Sequence, residues 1–171
     1  MHFVGSPAWF AVLITIHILG AIVGIGPAFS FGVIGMVNEK AGEGATLALL
    51  QVMHTIERFM LAPTVRFLQW GSGVLLIFNR GLNNGFFAWR HAWLIAGILI
   101  YVGMLVLGEV VSVPSARKML ALAEQGAPKA EVLAAGARLK MVGPFFPLAT
   151  ITITILMIWK PGSGCGALLR C

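Results

Sequence analysis

The sequence predicts an all-α integral membrane protein, a four-helix bundle with helical extensions on the cytoplasmic side. Three observations carry that expectation. None of the first 38 residues is charged. Of 171 residues, 58% are hydrophobic and 11% charged, against roughly 25% charged in a soluble domain. Hydrophobic stretches then recur along the chain, each near the about 20 residues that cross a roughly 30 Å hydrocarbon core as a helix. The length allows one small bundle. The formal charge of +6 comes from scattered Lys and Arg without aromatic interleaving. Basic loops flanking membrane helices account for them, so the expected partner is the lipid bilayer and not nucleic acid.

The first span is expected over 8–37 and is longer than the bilayer requires, so its end should project past the hydrocarbon. No Lys or Arg precedes Lys40, and the apolar run is too long for an h-region. This segment is therefore expected to stay as a span and not be cleaved as a signal peptide. The second span, 59–79, has to include Arg66, because 67–79 alone is too short to cross. Residues 46–58 extend it as an amphipathic helix, with Leu47, Leu50, His54 and Arg58 alternating apolar and polar faces. Residues 80–85, ending in Asn83-Asn84-Gly85, form a tight turn.

The third span is expected over 88–113, with Arg90 and His91 at its start and Glu109 near its end. Residues 115–125 and 130–140 are rich in Ala, Leu, Lys and Glu, all strong helix formers. Gly126-Ala127-Pro128 separates them, since proline cannot continue a helix. Residues 115–140 should thus form a projecting helical hairpin. The fourth span, 141–159, is uncharged, and 161–171 is expected to be a flexible tail. Its Cys165 and Cys171 are too few for a disulfide framework or a four-cysteine zinc site, which leaves a tail disulfide or two free thiols. Gly26-Pro27-Ala28-Phe29 and Gly143-Pro144-Phe145-Phe146 echo each other and suggest kinks, which membrane helices tolerate when neighbours re-satisfy the freed carbonyls.

Eight basic residues (Lys40, Arg58, Arg66, Arg117, Lys118, Lys129, Arg138, Lys140) fall on one side of these spans and four (Arg80, Arg90, Lys160, Arg170) on the other. The richer side is expected to be cytoplasmic, with both termini outside a bacterial inner membrane.

The candidate site centres on His17. His17, Gly20, Ala21, Gly24 and Ala28 share one helix face, and small residues at this spacing let membrane helices approach closely. His17 therefore points into the bundle. A titratable ring at that depth is a functional candidate by default. Depth arithmetic at about 1.5 Å per residue places Gly71 of span two, Gly97 of span three and Thr150 of span four in the same layer, with Gln69 and Gly73 adjacent and Tyr101 one turn deeper. Such a layer means either tightly closed helices or room for a flat ligand such as haem or a quinone.

His17 itself is either a structural hydrogen-bonder to Thr150, Tyr101 or Gln69, or an axial metal or haem ligand or proton relay. No second histidine lies at its depth: His91 is near the outer surface, His54 is in the extension and His2 is on the N-terminus. A bis-histidine site is therefore poorly supported, and a five-coordinate haem or one with Met104 as weak partner is the alternative. Arg66 and Glu109 either pair with each other or offer Arg66 to a carboxylate or propionate. His91, Arg90, Trp89 and Trp93 resemble an interfacial belt.

His17-Ile18-Leu19-Gly20-Ala21-Ile22-Val23-Gly24 resembles the His-x-x-x-Ala-x-x-x-Gly opening helix of a group of small bacterial four-helix membrane proteins. The group comprises copper-resistance D-like proteins, HemJ-type protoporphyrinogen oxidases and a set known only as predicted integral membrane proteins of unknown function, which this chain resembles most. Arg58, Pro63 and Gly71-Ser72-Gly73 of span two and Trp93-Leu94 of span three extend the likeness over nearly the whole chain. The resemblance implies a four-helix bundle with an inward His17 and haem association; the candidate cofactor site read from depth and charge is His17, Gly71, Gly97, Tyr101 and Arg66. The HemJ-type Trp-Leu-His-x-Lys pattern is replaced by Trp89-Arg90-His91-Ala92-Trp93, without the lysine. Copper ligands are not recognisable.

Three functions follow as alternatives. The first is a haem-associated or electron-transfer accessory subunit, and the second a non-catalytic structural or assembly subunit, alone or with other membrane subunits or copies of itself. The third is a small metal or proton permease, which lacks the carboxylate chain or unwound half-helices of a transport path. No nucleophile–base pair, phosphate loop or carboxylate pair is present, so classical hydrolase or transferase chemistry is not expected.

Overall fold

The computed structural model describes residues 7–78, 92–159 and 161, with no side-chain description at Pro7 and Ala28. Arg80, Asn83, Trp89, Arg90, His91, Lys160, Arg170, Cys165 and Cys171 lie outside these residues, and with them the expected turn, interfacial belt and tail. All described regular structure is helical, and four helices are long and apolar enough to cross a membrane.

Helix α1 (Pro7–Lys40) runs unbroken for 34 residues, about 51 Å at 1.5 Å each. Pro27 lies inside it without ending the helix. Helix α2 (Glu43–Phe78) fuses the amphipathic extension and the second span into one rod, and α3 (Ala92–Glu124) carries the third span straight into the first arm of the hairpin. A break near 113 is thus not seen, although Pro114 follows. Both Pro63 and Pro114 are preceded by a wider π turn, at Glu57–Leu61 and Gly108–Ser112. A proline ring clashes with the carbonyl four residues back, and a π turn loosens the ladder at that point. The helix absorbs each proline instead of ending.

Helix α3 stops at Gly126, whose φ of 72° suits a glycine. Gly126 N–H donates to Ala123 O and Ala127 N–H to Leu122 O, at 3.1 and 3.0 Å. This pair of bonds is the Schellman pattern, which satisfies the last orphan carbonyls. The hairpin returns as α4 (Lys129–Ala135) and α5 (Ala137–Val142). A turn at Gly143-Pro144 joins α5 to α6 (Phe145–Trp159), and together they form the fourth apolar span, Ala137–Trp159.

Within the apolar region α1 lies along α2, and α3 lies along α6. At the hairpin end the outer halves of α2 and α3 pack with α4 around Leu50, Met119 and Val132, joined by Leu122, Ala127 and Leu133. This apolar centre has the character of a small soluble core. Along the spans, by contrast, Ile22, Val33, Phe67, Phe78, Leu99 and Ile158 are exposed. Lipid is as apolar as these side chains, so nothing drives them inward.

The hairpin grips the end of α1. Lys129 Nζ donates to the carbonyls of Glu39 and Ala41 at 2.8 and 2.5 Å, and Lys140 Nζ meets Glu39 Oε1 at 2.6 Å. A helix C-terminus carries unpaired carbonyls and partial negative charge, and Lys129 satisfies both.

Candidate functional site

Two glycines bring α1 onto α2. A methyl group at Gly24 would lie 2.7 Å from Thr64 Cγ2, and one at Gly20 would lie 3.0 Å from Gln69 Oε1. Helices that cross this closely leave room for short polar bonds, and His17 stands one turn from Gly20. Its Nδ1 lies 2.9 Å from Ser72 Oγ and its Nε2 lies 3.0 Å from Gln69 Nε2.

One arrangement of protons satisfies these contacts together. Ser72 Oγ–H donates to Leu68 O at 2.6 Å, so its lone pairs are left to accept from His17 Nδ1–H. The second nitrogen, Nε2, then carries the lone pair and accepts from the Gln69 amide. His17 thus has both ring nitrogens engaged by α2. Gly73 completes the seat, since a methyl group there would lie 3.3 Å from His17 Cε1. Gln69 Oε1 is buried and has no hydrogen-bond partner.

The expected layer around His17 forms only in part. Gln69 and Gly73 are there, but Gly71 faces open space and Gly97 faces Met157 Cε at 3.2 Å. Tyr101 donates its hydroxyl to Val65 O at 2.6 Å and meets the Trp70 ring edge-on at 5.9 Å. Thr150 donates to Phe146 O in its own helix. Depth arithmetic gives a level on a helix but not the direction a residue faces, and each residue step turns that direction by about 100°. The π turn at Thr64–Gln69 shifts the phase further. Sequence reasoning therefore missed Ser72, one step from the predicted Gly71; its polar hydroxyl between two glycines was the available signal.

Arg66 and Glu109 meet toward the hairpin end. Arg66 Nε donates to Glu109 Oε1 at 2.7 Å, and its terminal nitrogen approaches the same oxygen at 2.5 Å. Both residues sit in π turns, Thr64–Gln69 and Gly108–Ser112. The same α2 turn contains Val65, whose carbonyl Tyr101 satisfies, so two α3 side chains hold the widened segment.

An axial haem or metal bond needs the imidazole lone pair. Here the Gln69 amide lies against one ring nitrogen and Ser72 against the other, so an axial bond at Nε2 would require the Gln69 side chain to move aside. Among the described residues no three His, Cys, Asp or Glu side chains gather as a metal-ligand group.

One family matches the chain, over residues 11–161: predicted integral membrane protein (DUF2269). No curated protein and no solved structure matches.

Proposed function

Since the chain belongs to that predicted integral membrane protein family, we propose that it serves as a non-catalytic structural or assembly subunit of the bacterial inner membrane. In this reading both termini face outside and the hairpin faces the cytoplasm, as the basic-residue asymmetry suggests. The observation that carries it is the state of His17. Both ring nitrogens are hydrogen-bonded to α2, so the imidazole serves as a latch between helices. Arg66 is likewise committed to Glu109 and is not free for a propionate. His17, Gln69 and Ser72, together with Arg66, Glu109 and Tyr101, are thus spent on holding helices together. Partners are other membrane subunits or a second copy of the chain, reached through the exposed apolar faces or the hairpin.

Likeness to HemJ-type proteins supplies the competing reading, haem carried on His17. An absorption spectrum of the gently extracted protein, with and without dithionite, separates the two. A colourless protein that crosslinks in native membranes to other subunits or to itself supports the subunit reading. A Soret band that disappears in His17→Ala overturns it, as does a protein that remains monomeric in its membrane.

A further inference from the structure

A cleft of about 530 Å³ opens between the outer halves of α2 and α3, away from the His17 layer. We propose that it binds a phosphate ester, gripped by Arg58 from one wall and Arg117 from the other. This proposal is independent of the subunit reading.

The Arg66–Glu109 ion pair sets the register of the two antiparallel walls. Arg58 lies eight residues before Arg66, and Arg117 eight after Glu109. With π turns in both walls the rise falls below the α-helical 1.5 Å per residue, so both stand on the order of 10 Å above the pair, at about one level. Arg58, Ala62 and Arg66 all line the cleft from α2. Arg117 and Leu120 line it from α3.

Arg66 has its counter-ion and forms the floor. Arg58 and Arg117 do not: among the described residues the ion pairs are His54–Glu57, Arg66–Glu109 and Lys140–Glu39. The Arg58 guanidinium lies over the Phe59 ring, 5.7 Å from its centroid. Two guanidinium groups lining one cleft, neither in an ion pair, offer an anion between them two sets of donors. Phosphate oxygens accept from two such forks at once, and arginine matches that geometry better than any other side chain.

Size and charge narrow the ligand. The cleft falls within the about 300–1,000 Å³ of small-molecule sites, which is more than a bare phosphate fills. Ala62 and Leu120 provide apolar wall for an organic portion. Glu57 and Glu124 also line the cleft and disfavour a polyanion. A single phosphate ester fits, whether it is a phospholipid headgroup at the membrane surface or a soluble organic phosphate.

The full-length protein is purified in a neutral detergent and given two probes. Phosphatidylglycerol, read as retained adducts by native mass spectrometry, represents the lipid source; glycerol 3-phosphate in equilibrium dialysis represents the soluble one. Each good charged fork is expected to matter about tenfold in affinity. Arg58→Gln and Arg117→Gln should therefore each weaken binding about tenfold, while Lys118→Gln, which removes the same charge outside the lining, changes it less than twofold. Arg117→Lys keeps the charge and the fold but loses the fork, and should also weaken binding. Retention of the lipid alone identifies a headgroup site, and binding of glycerol 3-phosphate a soluble ligand; either supports the proposal. It is overturned if neither probe binds wild type, if the cleft variants bind as wild type, or if Lys118→Gln weakens binding as much as they do.

Discussion

A histidine in lipid has to find partners or remain unsatisfied, and His17 finds two on one neighbouring helix. Hydrogen bonds between membrane helices contribute about 0.6 kcal/mol on average and up to about 1.7. His17→Ala should therefore lower bundle stability by about 1–2 kcal/mol, read as a shift in unfolding by detergent titration. Gln69 would lose its remaining side-chain partner, since its Oε1 already has none. A variant that unfolds like wild type would remove His17 from the set of groups that join α1 to α2. His17→Gln, which keeps one donor and one acceptor, should recover part of the loss.

Helix pairing in α1 and α2 depends on where side chains are missing. A methyl group at Gly24 would press on Thr64, whereas one at Gly26 would meet nothing within 4 Å. Gly24→Leu should wedge the helices apart and cost about 2 kcal/mol or more, as overpacking of a close contact commonly does. Gly26→Leu should be nearly neutral, with its side chain in open surroundings. The two positions differ by two residues on one helix, so melting both variants isolates the face from the composition. Equal losses would mean that this crossing is not the interface. The prolines illustrate the same scale: Pro63 and Pro114 remain within continuous helices because a π turn precedes each.

At the scale of the whole molecule, two kinds of packing are joined end to end. The spans are held by close approach and a few polar bonds, and the hairpin end by an apolar centre around Leu50, Met119 and Val132. Lys129 and Lys140 tie that centre to α1. Reporter fusions test its placement: a fusion at Gly126 should be active on the cytoplasmic side and one after Cys171 on the outer side. The motive is the eight-to-four division of basic residues. Cytoplasmic activity from the tail fusion would reverse the topology.

What the sequence determined by itself is the class of structure and its setting. Backbone groups in lipid must be satisfied within the segment, so an apolar, nearly uncharged stretch of sufficient length has to be helical. The stripe of Gly20 and Gly24 likewise marked one face of α1 for close contact before any neighbour was known. The tertiary structure decided which neighbour that was and which groups meet there. Gly71 was chosen by depth, yet Ser72 holds the imidazole, because level along a helix says nothing of rotation about it. Tyr101 and Gly97 turned to other partners for the same reason, and the π turns in α2 and α3 shifted the phase in ways no apolar pattern records. The cleft between Arg58 and Arg117 was equally hidden: those residues are 59 positions apart, and only the antiparallel register set by Arg66 and Glu109 brings them level.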